Sequence, residues 1–290
     1  MTISLFIEQI INGLIIGSMY ALVGSGIALI YGTMRVLNLA HGEFYMLGGY
    51  LVFLLVVTCG VPAYLAIPIA LLAAFLLGAL IQRITIHYLL QREGWAFSTI
   101  AVTLGLSIFL QNSALLLFGE NVQSVPYYVT GIVEFAGIRI PMQRLLILGV
   151  AILTIAVMTY VLKATRLGWA IRATSQDRDA AAVVGIPASR IYLITFGIAA
   201  ALGAIAAAMM APIYAITPWS GLPILFKGFV VVILGGLGSF PGAIVGGLLL
   251  GVVEAVGVQL TSTEWRDVIA FALMIAVIWV RPWGLFGSKS

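Results

Sequence analysis

Charge is what this chain has least of. Lys, Arg, Asp and Glu supply 24 of its 290 residues, 8% of the chain, where soluble domains carry roughly 25%. That scarcity excludes a water-facing globular surface, and the 62% hydrophobic composition places the chain in a bilayer. Cysteine is nearly absent. Cys59 is alone, so no internal disulfide can form and redox chemistry has little to work with. Histidine is also scarce, with two residues, too few with the sparse carboxylates to build a zinc or catalytic constellation. No metal or cofactor is implied. No stripe of basic and stacking residues marks a nucleic-acid surface. No Gly-x-x-x-x-Gly-Lys-Ser/Thr sequence exists to hold ATP phosphates. Met1 to Ile11 carries no Lys or Arg ahead of its apolar run, which argues against a cleaved signal peptide.

What is present is a series of long apolar runs. A spanning helix needs about 20 apolar residues. Residues 10–31, 61–81, 98–118, 145–162 and 191–214 meet that requirement. Residues 44–59 form a shorter run that extends backward into the preceding segment. Residues 268–280 are short but are flanked by Trp265 and Trp283, as interfacial anchors would be. The expected fold is an all-α polytopic bundle of about eight transmembrane helices, with broken or re-entrant segments, forming one transmembrane unit over residues 1–290.

The few charges are concentrated. Seven lie between Lys163 and Arg190: Lys163, Arg166, Arg172, Asp177, Arg178, Asp179 and Arg190. Lys and Arg accumulate on the cytoplasmic side of membrane proteins, so this island is expected inside. Residues 82–97, with Arg83 and Arg92, then also fall inside, and residues 119–144 fall outside. Arg281 and Lys289 place the C-terminus inside. The N-terminus falls outside and Arg35 inside, unless a dip near Asn38–Tyr45 reverses that order. The island also spells a short helix. Thr174, Ser175 or Asp177 can cap it, Asp179, Ala180 and Ala181 begin an alanine-rich run, Gly185 can stop it, and Pro187 blocks continuation. Its alanine surface suits close packing by another protein; an ordinary connecting loop is the plainer reading.

Residues 228–257 are too long for one plain crossing. Gly235, Gly236, Gly238, Ser239, Pro241 and Gly242 interrupt them, giving two short crossings or a re-entrant pair. Such a break survives in lipid only where protein or a cavity satisfies the freed backbone. Pro241 can begin a half-helix whose free N–H groups face a polar pathway. Gly13 with Gly17, Gly247 with Gly251, and Gly238, Gly242 and Gly246 are spaced for close helix packing. His41 and Glu43 are an ionisable pair beside an apolar run. They suit a proton relay, a substrate contact, or a helix start whose dipole favours Glu43. Glu254 faces either the bundle interior or the outer interface. Residues 38–49 faintly resemble residues 236–247, as an internal duplication would; chance in a Gly-rich chain is the alternative.

These residues carry a resemblance. Asn38-Leu39-Ala40-His41-Gly42-Glu43 with Met46-Leu47-Gly48, the run Val232 to Ala243, and Ser262 to Val268 resemble, in order and over nearly the whole chain, the LivH-type permeases of branched-chain amino-acid ABC transporters. Asp179-Ala180-Ala181-x-x-x-Gly185 is similar to the Glu-Ala-Ala-x-x-x-Gly pattern of ABC importers, with Asp in place of Glu. The resemblance implies a transport subunit, not an enzyme, of the bacterial inner membrane. It implies a coupling loop at 163–190 with Arg172, Asp177, Asp179, Ala180, Ala181 and Gly185 toward the ATPases. It implies a pathway near Asn38, His41, Glu43 and the residues of the glycine break. The expected partners are a second related permease, two ATPase subunits and a periplasmic binding protein. The expected cargo is Leu, Ile or Val, moved by alternating access. Urea, short amides or other amino acids are the rival substrates. An ion-coupled secondary carrier and a membrane subunit of an electron-transfer complex are rival classes, the latter poorly supplied with ligands.

Overall fold

A computed structural model describes residues 3–90, 95–135 and 138–287. Arg92 and Lys289, two of the orientation markers, lie outside the described residues. The helices are α1 (Ile3–Met34), α2 (His41–Phe53), α3 (Ala63–Ile81), α4 (His87–Leu89), α5 (Trp95–Phe118), α6 (Met142–Ala164), α7 (Arg166–Gln176), α8 (Arg178–Val183), α9 (Ala188–Met210), α10 (Gly221–Gly235), α11 (Phe240–Leu260) and α12 (Arg266–Val280). A π-helical segment, Leu54–Thr58, prolongs α2, and another, Gln82–Ile86, joins α3 to α4. Seven of these helical stretches are long and apolar enough to cross a membrane, and Gly221–Gly235 is a shorter apolar helix. A two-stranded antiparallel hairpin, β1 (Ile132–Phe135) and β2 (Ile138–Pro141), sits between α5 and α6.

α1 and α9 form the centre. Both are apolar on every face, as a helix surrounded by other helices must be, and both are buried along most of their length. α11 lies along α1, and α3 lies along α9. The α1–α11 contact is made by the two glycine pairs. A Cβ on Gly17 would stand 2.7 Å from Gly247 O, and one on Gly13 would stand 2.8 Å from Gly251 O. The small-residue spacing therefore has a definite partner: each pair is the other's groove.

The bundle has a basic end and a far end. The basic end gathers Met34, Val36, Ile86, Ala188 and Tyr192 in one apolar cluster, with Leu90 and Trp95 against it. The Lys163–Arg190 segment lies there. So does the turn at Gly238, which abuts Gly32, and the C-terminal tail, whose Gly287 abuts Gly236. The far end carries the start of α1, where Arg144 donates to Asn12, and the long loop, where Gln123 and Ile216 form a β-bridge.

Two inverted halves emerge from these directions. α1, α2, α3 and α5 form one; α9, α10, α11 and α12 form the other. α1 runs toward the basic end and α9 away from it. α2 packs on α9 as α10 packs on α1. α2 and α10 are each entered from a loop that turns back into the bundle, and they meet each other at Gly42 and Gly221. The likeness between residues 38–49 and 236–247 pairs α2 with α11, which this architecture does not: the counterpart of α2 is α10. The glycines of the two stretches have different tasks. Gly48 meets Ala204 and Gly49 meets Ile216, whereas Gly246 meets Val231 and Gly247 meets Ala21.

Other expectations also change. Residues 82–89 are helix rather than loop, because the apolar α3 runs on through a π-turn instead of ending at its Arg. Residues 35–40 do turn back inward, after Arg35 closes α1 with φ 56. His41 lies beside Gly26, eight residues and so about 12 Å back along α1. That dip does not reverse the order of crossings, because α2 continues to the far end.

Candidate functional site

The meeting of α2 and α10 gathers buried polar side chains, Asn38, His41 and Glu43, inside the bundle. Asn38 is buried, and its side-chain oxygen accepts from Ala40 N at 3.0 Å, an Asx turn that launches α2. Glu43 falls in the first turn of α2, where the helix dipole favours a carboxylate. Its Oε1 accepts from Ser107 Oγ and Gln111 Nε2 of α5, each at 2.8 Å. Its Oε2 has no hydrogen-bond partner among the described residues. Contact with α10 is backbone to backbone: a Cβ on Gly221 would stand 2.7 Å from Gly42 O and 2.8 Å from Glu43 Oε2. No side chain larger than hydrogen fits at either glycine.

His41 is fully buried, wedged against Gly26 of α1 and edge-on to Phe44, which in turn meets Phe196 of α9 edge-on. His41 and Glu43 are therefore both interior, not interfacial, and Glu43 does sit at a helix start. No hydrogen bond joins the two side chains among the described residues.

The glycine break is a tight helical hairpin. Gly236 and Gly238 adopt φ 107 and 81, left-handed conformations that suit glycine. Gly235 packs directly on Gly242, and a Cβ on Gly246 would lie 2.6 Å from Val231 O. Pro241 falls at the start of α11, as expected, but α11 is a full-length helix; the short element is α10, whose 15 residues rise about 22 Å against a core of about 30 Å. At the start of α11 Pro241 has no N–H to offer, Gly242 N donates to the capping Ser239 hydroxyl at 3.1 Å, and Ala243 N donates to Ser239 O at 2.9 Å. The end of α10 is satisfied by the C-terminal tail: Leu285 N donates to Leu234 O and Phe286 N to Gly235 O, both at 2.9 Å. Thus the chain's own backbone answers the break.

Sequence reasoning missed a second polar centre. Lys227 of α10, 6% exposed, is paired with Glu254 of α11, 3% exposed, and with Asp267 of α12 at 2.8 Å. Tyr20 of α1 donates to Glu254 Oε2 at 3.0 Å. Four helices are tied by one lysine and its acids, so Glu254 faces the interior. The signal existed. In a hairpin that sets Gly235 on Gly242 and Val231 beside Gly246, Lys227 falls level with Leu250, one turn from Glu254, and a lysine stem spans a turn.

The basic segment folds as two helices where one was expected. Thr165 caps α7. Asp177 caps α8, accepting from Asp179 N at 2.8 Å and Ala180 N at 2.9 Å. Thr174 and Ser175 belong to the last turns of α7 and bond back to Ala170 O and Arg172 O. α8 ends at Gly185, φ 84, with Gly185 N donating to Ala182 O and Ile186 N to Ala181 O, each at 3.0 Å. Ala180 is exposed but Ala181 is buried against its own chain, because α8 leans on α9. The outward face is instead Asp179, Ala180, Ala182, Val183 and Val184; the two valines are 88% and 73% exposed.

Inverted halves, paired half-helix starts inside the bundle and a capped helical loop at one end define a polytopic membrane transport subunit. Residues 9–278 match the family described as branched-chain amino acid transport system / permease component. The chain is 36% identical to the high-affinity branched-chain amino acid transport system permease protein BraD of Pseudomonas aeruginosa, over 97% of this chain and 96% of that one. It is 33% identical to LivH of Escherichia coli strain K12, with the same coverage. It is 27% identical to LivM of the same organism, over 92% of this chain and 67% of that one. No solved structure matches. The chain belongs to this permease family: it is a multi-pass permease component of a branched-chain amino acid ABC transport system.

Proposed function

We propose that the whole chain, residues 1–290, works as one half of a permease pair that carries Leu, Ile or Val inward by alternating access. The pair's other half is a LivM-like permease, two ATPase subunits dock at the basic end, and a periplasmic binding protein delivers substrate at the far end. The basic end is cytoplasmic, since it holds the excess of Lys and Arg. The α2–α10 crossing, with Asn38, His41 and Glu43, is where the inverted halves shift, and the hairpin at Gly235–Gly242 sets the position of α10 against α11. Differential contacts in the two states drive the movement, so tight substrate binding by this chain is not needed.

The observation that carries the ATPase docking is the outward face of α8. Val183 and Val184 stand exposed at a charged, capped helix outside the bundle, and a protein partner is what removes such apolar surface from water. Ala180→Trp and Val183→Asp should each sever co-purification of the ATPases and abolish leucine uptake, while the bundle remains folded. Ala181→Trp serves as a contrast, since it should disturb the packing of α8 on its own chain. Full ATPase recovery and full uptake with Val183→Asp would count against this docking face.

A further inference from the structure

A cavity of about 480 Å³ opens at the basic end between α1, α6, α7 and α11, within the size range of small-molecule sites. We propose that it binds an anionic phospholipid of the cytoplasmic leaflet, a site that rests on the cytoplasmic placement of the basic end. The lining is graded along the membrane normal. Ala28, Leu29, Ile244 and Val245 form its deeper wall, one turn or more inside the helix ends. Lys163, from the last turn of α6, and Arg172, from α7, stand at its rim with the hydroxyl-bearing Thr33 and Ser175. Among the described residues, none that lines it carries a carboxylate. An apolar floor under a cationic rim fits an acyl chain below a phosphate, and basic pockets between helices on this side of a membrane take anionic headgroups.

The rim is held in place. Arg172 donates to Leu162 O, and its guanidinium lies over the Trp169 ring at 5.1 Å. That leaves other N–H donors of the fork for a phosphate oxygen. Trp169 is 66% exposed, as an interfacial anchor is. Gly168 is pressed onto Leu162 O, so α7 folds tightly back on the end of α6. A lipid seated here bridges α6, α7, α1 and α11. It therefore fastens the segment that leads into α8 to the transmembrane bundle.

The test uses the assembled transporter, stripped of lipid and returned to nanodiscs of phosphatidylcholine alone or mixed with phosphatidylglycerol. Native mass spectrometry then counts retained lipid. Each basic residue should favour phosphatidylglycerol about fivefold, and the two together about thirtyfold. Lys163→Gln with Arg172→Gln should erase the preference, and Ile244→Trp, which fills the floor and spares both cations, should expel lipid of either kind. The wild-type lipid comparison needs no variant. No preference in the wild type, or the same preference in the double substitution, would overturn the proposal. So would undiminished binding of inorganic phosphate to Ile244→Trp with no lipid retained by the wild type, which marks a free-anion site. Cross-linking of Val245→Cys to another subunit would show the cavity filled by protein and would equally overturn it. Impermeant labelling of the loop, done separately, reports whether the basic end is cytoplasmic.

Discussion

Lys227→Met isolates the strongest electrostatic contact inside the bundle. Among the described residues Lys227 is the cation in direct contact with Glu254, Arg266 acting on it from farther away, and the pair is nearly sealed from solvent. Removing one member of a buried pair costs about 3–5 kcal/mol, because the other charge is left unpaired. Asp267 also loses a partner, but its side chain is 73% exposed, so water compensates it and it adds little. Tyr20→Phe deletes just the hydrogen bond to Glu254 Oε2. Interhelical hydrogen bonds in a membrane average about 0.6 kcal/mol, so this change should be several-fold milder. Adding Glu254→Gln to Lys227→Met removes the orphaned charge and keeps an amide near the Tyr20 hydroxyl; it should recover most of the loss. The assay is the unfolding free energy of the purified chain in mixed micelles titrated with SDS, at one pH and ionic strength for the wild type and all three variants. A double variant no more stable than Lys227→Met, or a Tyr20→Phe loss as large, would refute the charge-pair reasoning.

Other consequences follow from the same geometry. Gly17→Val and Gly251→Val should each lose about 1–3 kcal/mol or misassemble, since a Cβ at either site meets backbone of the facing helix. Gly105→Val and Gly149→Val, with open space around the glycine, should leave stability near wild type in the same SDS titration. Gly185→Val should strain the end of α8 by about 1–2 kcal/mol, because φ is 84 with no neighbour to blame. Gly185→Asn should be tolerated better, and the two should order the same way in ATPase co-purification. In a Cys59→Ser background, Ser124→Cys should react with an impermeant thiol reagent on whole cells and Ala182→Cys should react after permeabilisation alone. The reverse pattern would invert the topology.

Much of the architecture was legible in the sequence, for local reasons. The caps and stop of α8 are read within a dozen residues, since Asp177, Gly185 and Pro187 act on their own backbone. The break at Gly235–Gly242 announces itself by length and by glycine. The stripes at Gly13–Gly17 and Gly247–Gly251 predict close contact, although the sequence does not say that each is the other's partner. What stayed hidden depends on distant pairing. Lys227 reads as a stray charge until α10 and α11 are folded on each other. The inversion relating α2 to α10 leaves little to match beyond the glycines that meet, Gly42 and Gly221, because most of the equivalent positions carry different side chains on the two sides. α7 hid inside a charged loop because its buried face is small: Gly168, Ile171 and Thr174. The inward side of Ala181 is set by α9 and not by α8's own sequence.

This chain is the permease component of an ATP-driven branched-chain amino acid transport system. Radiolabelled leucine uptake into proteoliposomes tests this assignment most directly, with the chain reconstituted alone or together with a LivM-like permease, its ATPases and binding protein. Uptake in the full complex should require ATP hydrolysis and stop when this chain is omitted. Leucine uptake by this chain alone, driven by a proton gradient without ATP, would contradict the assignment.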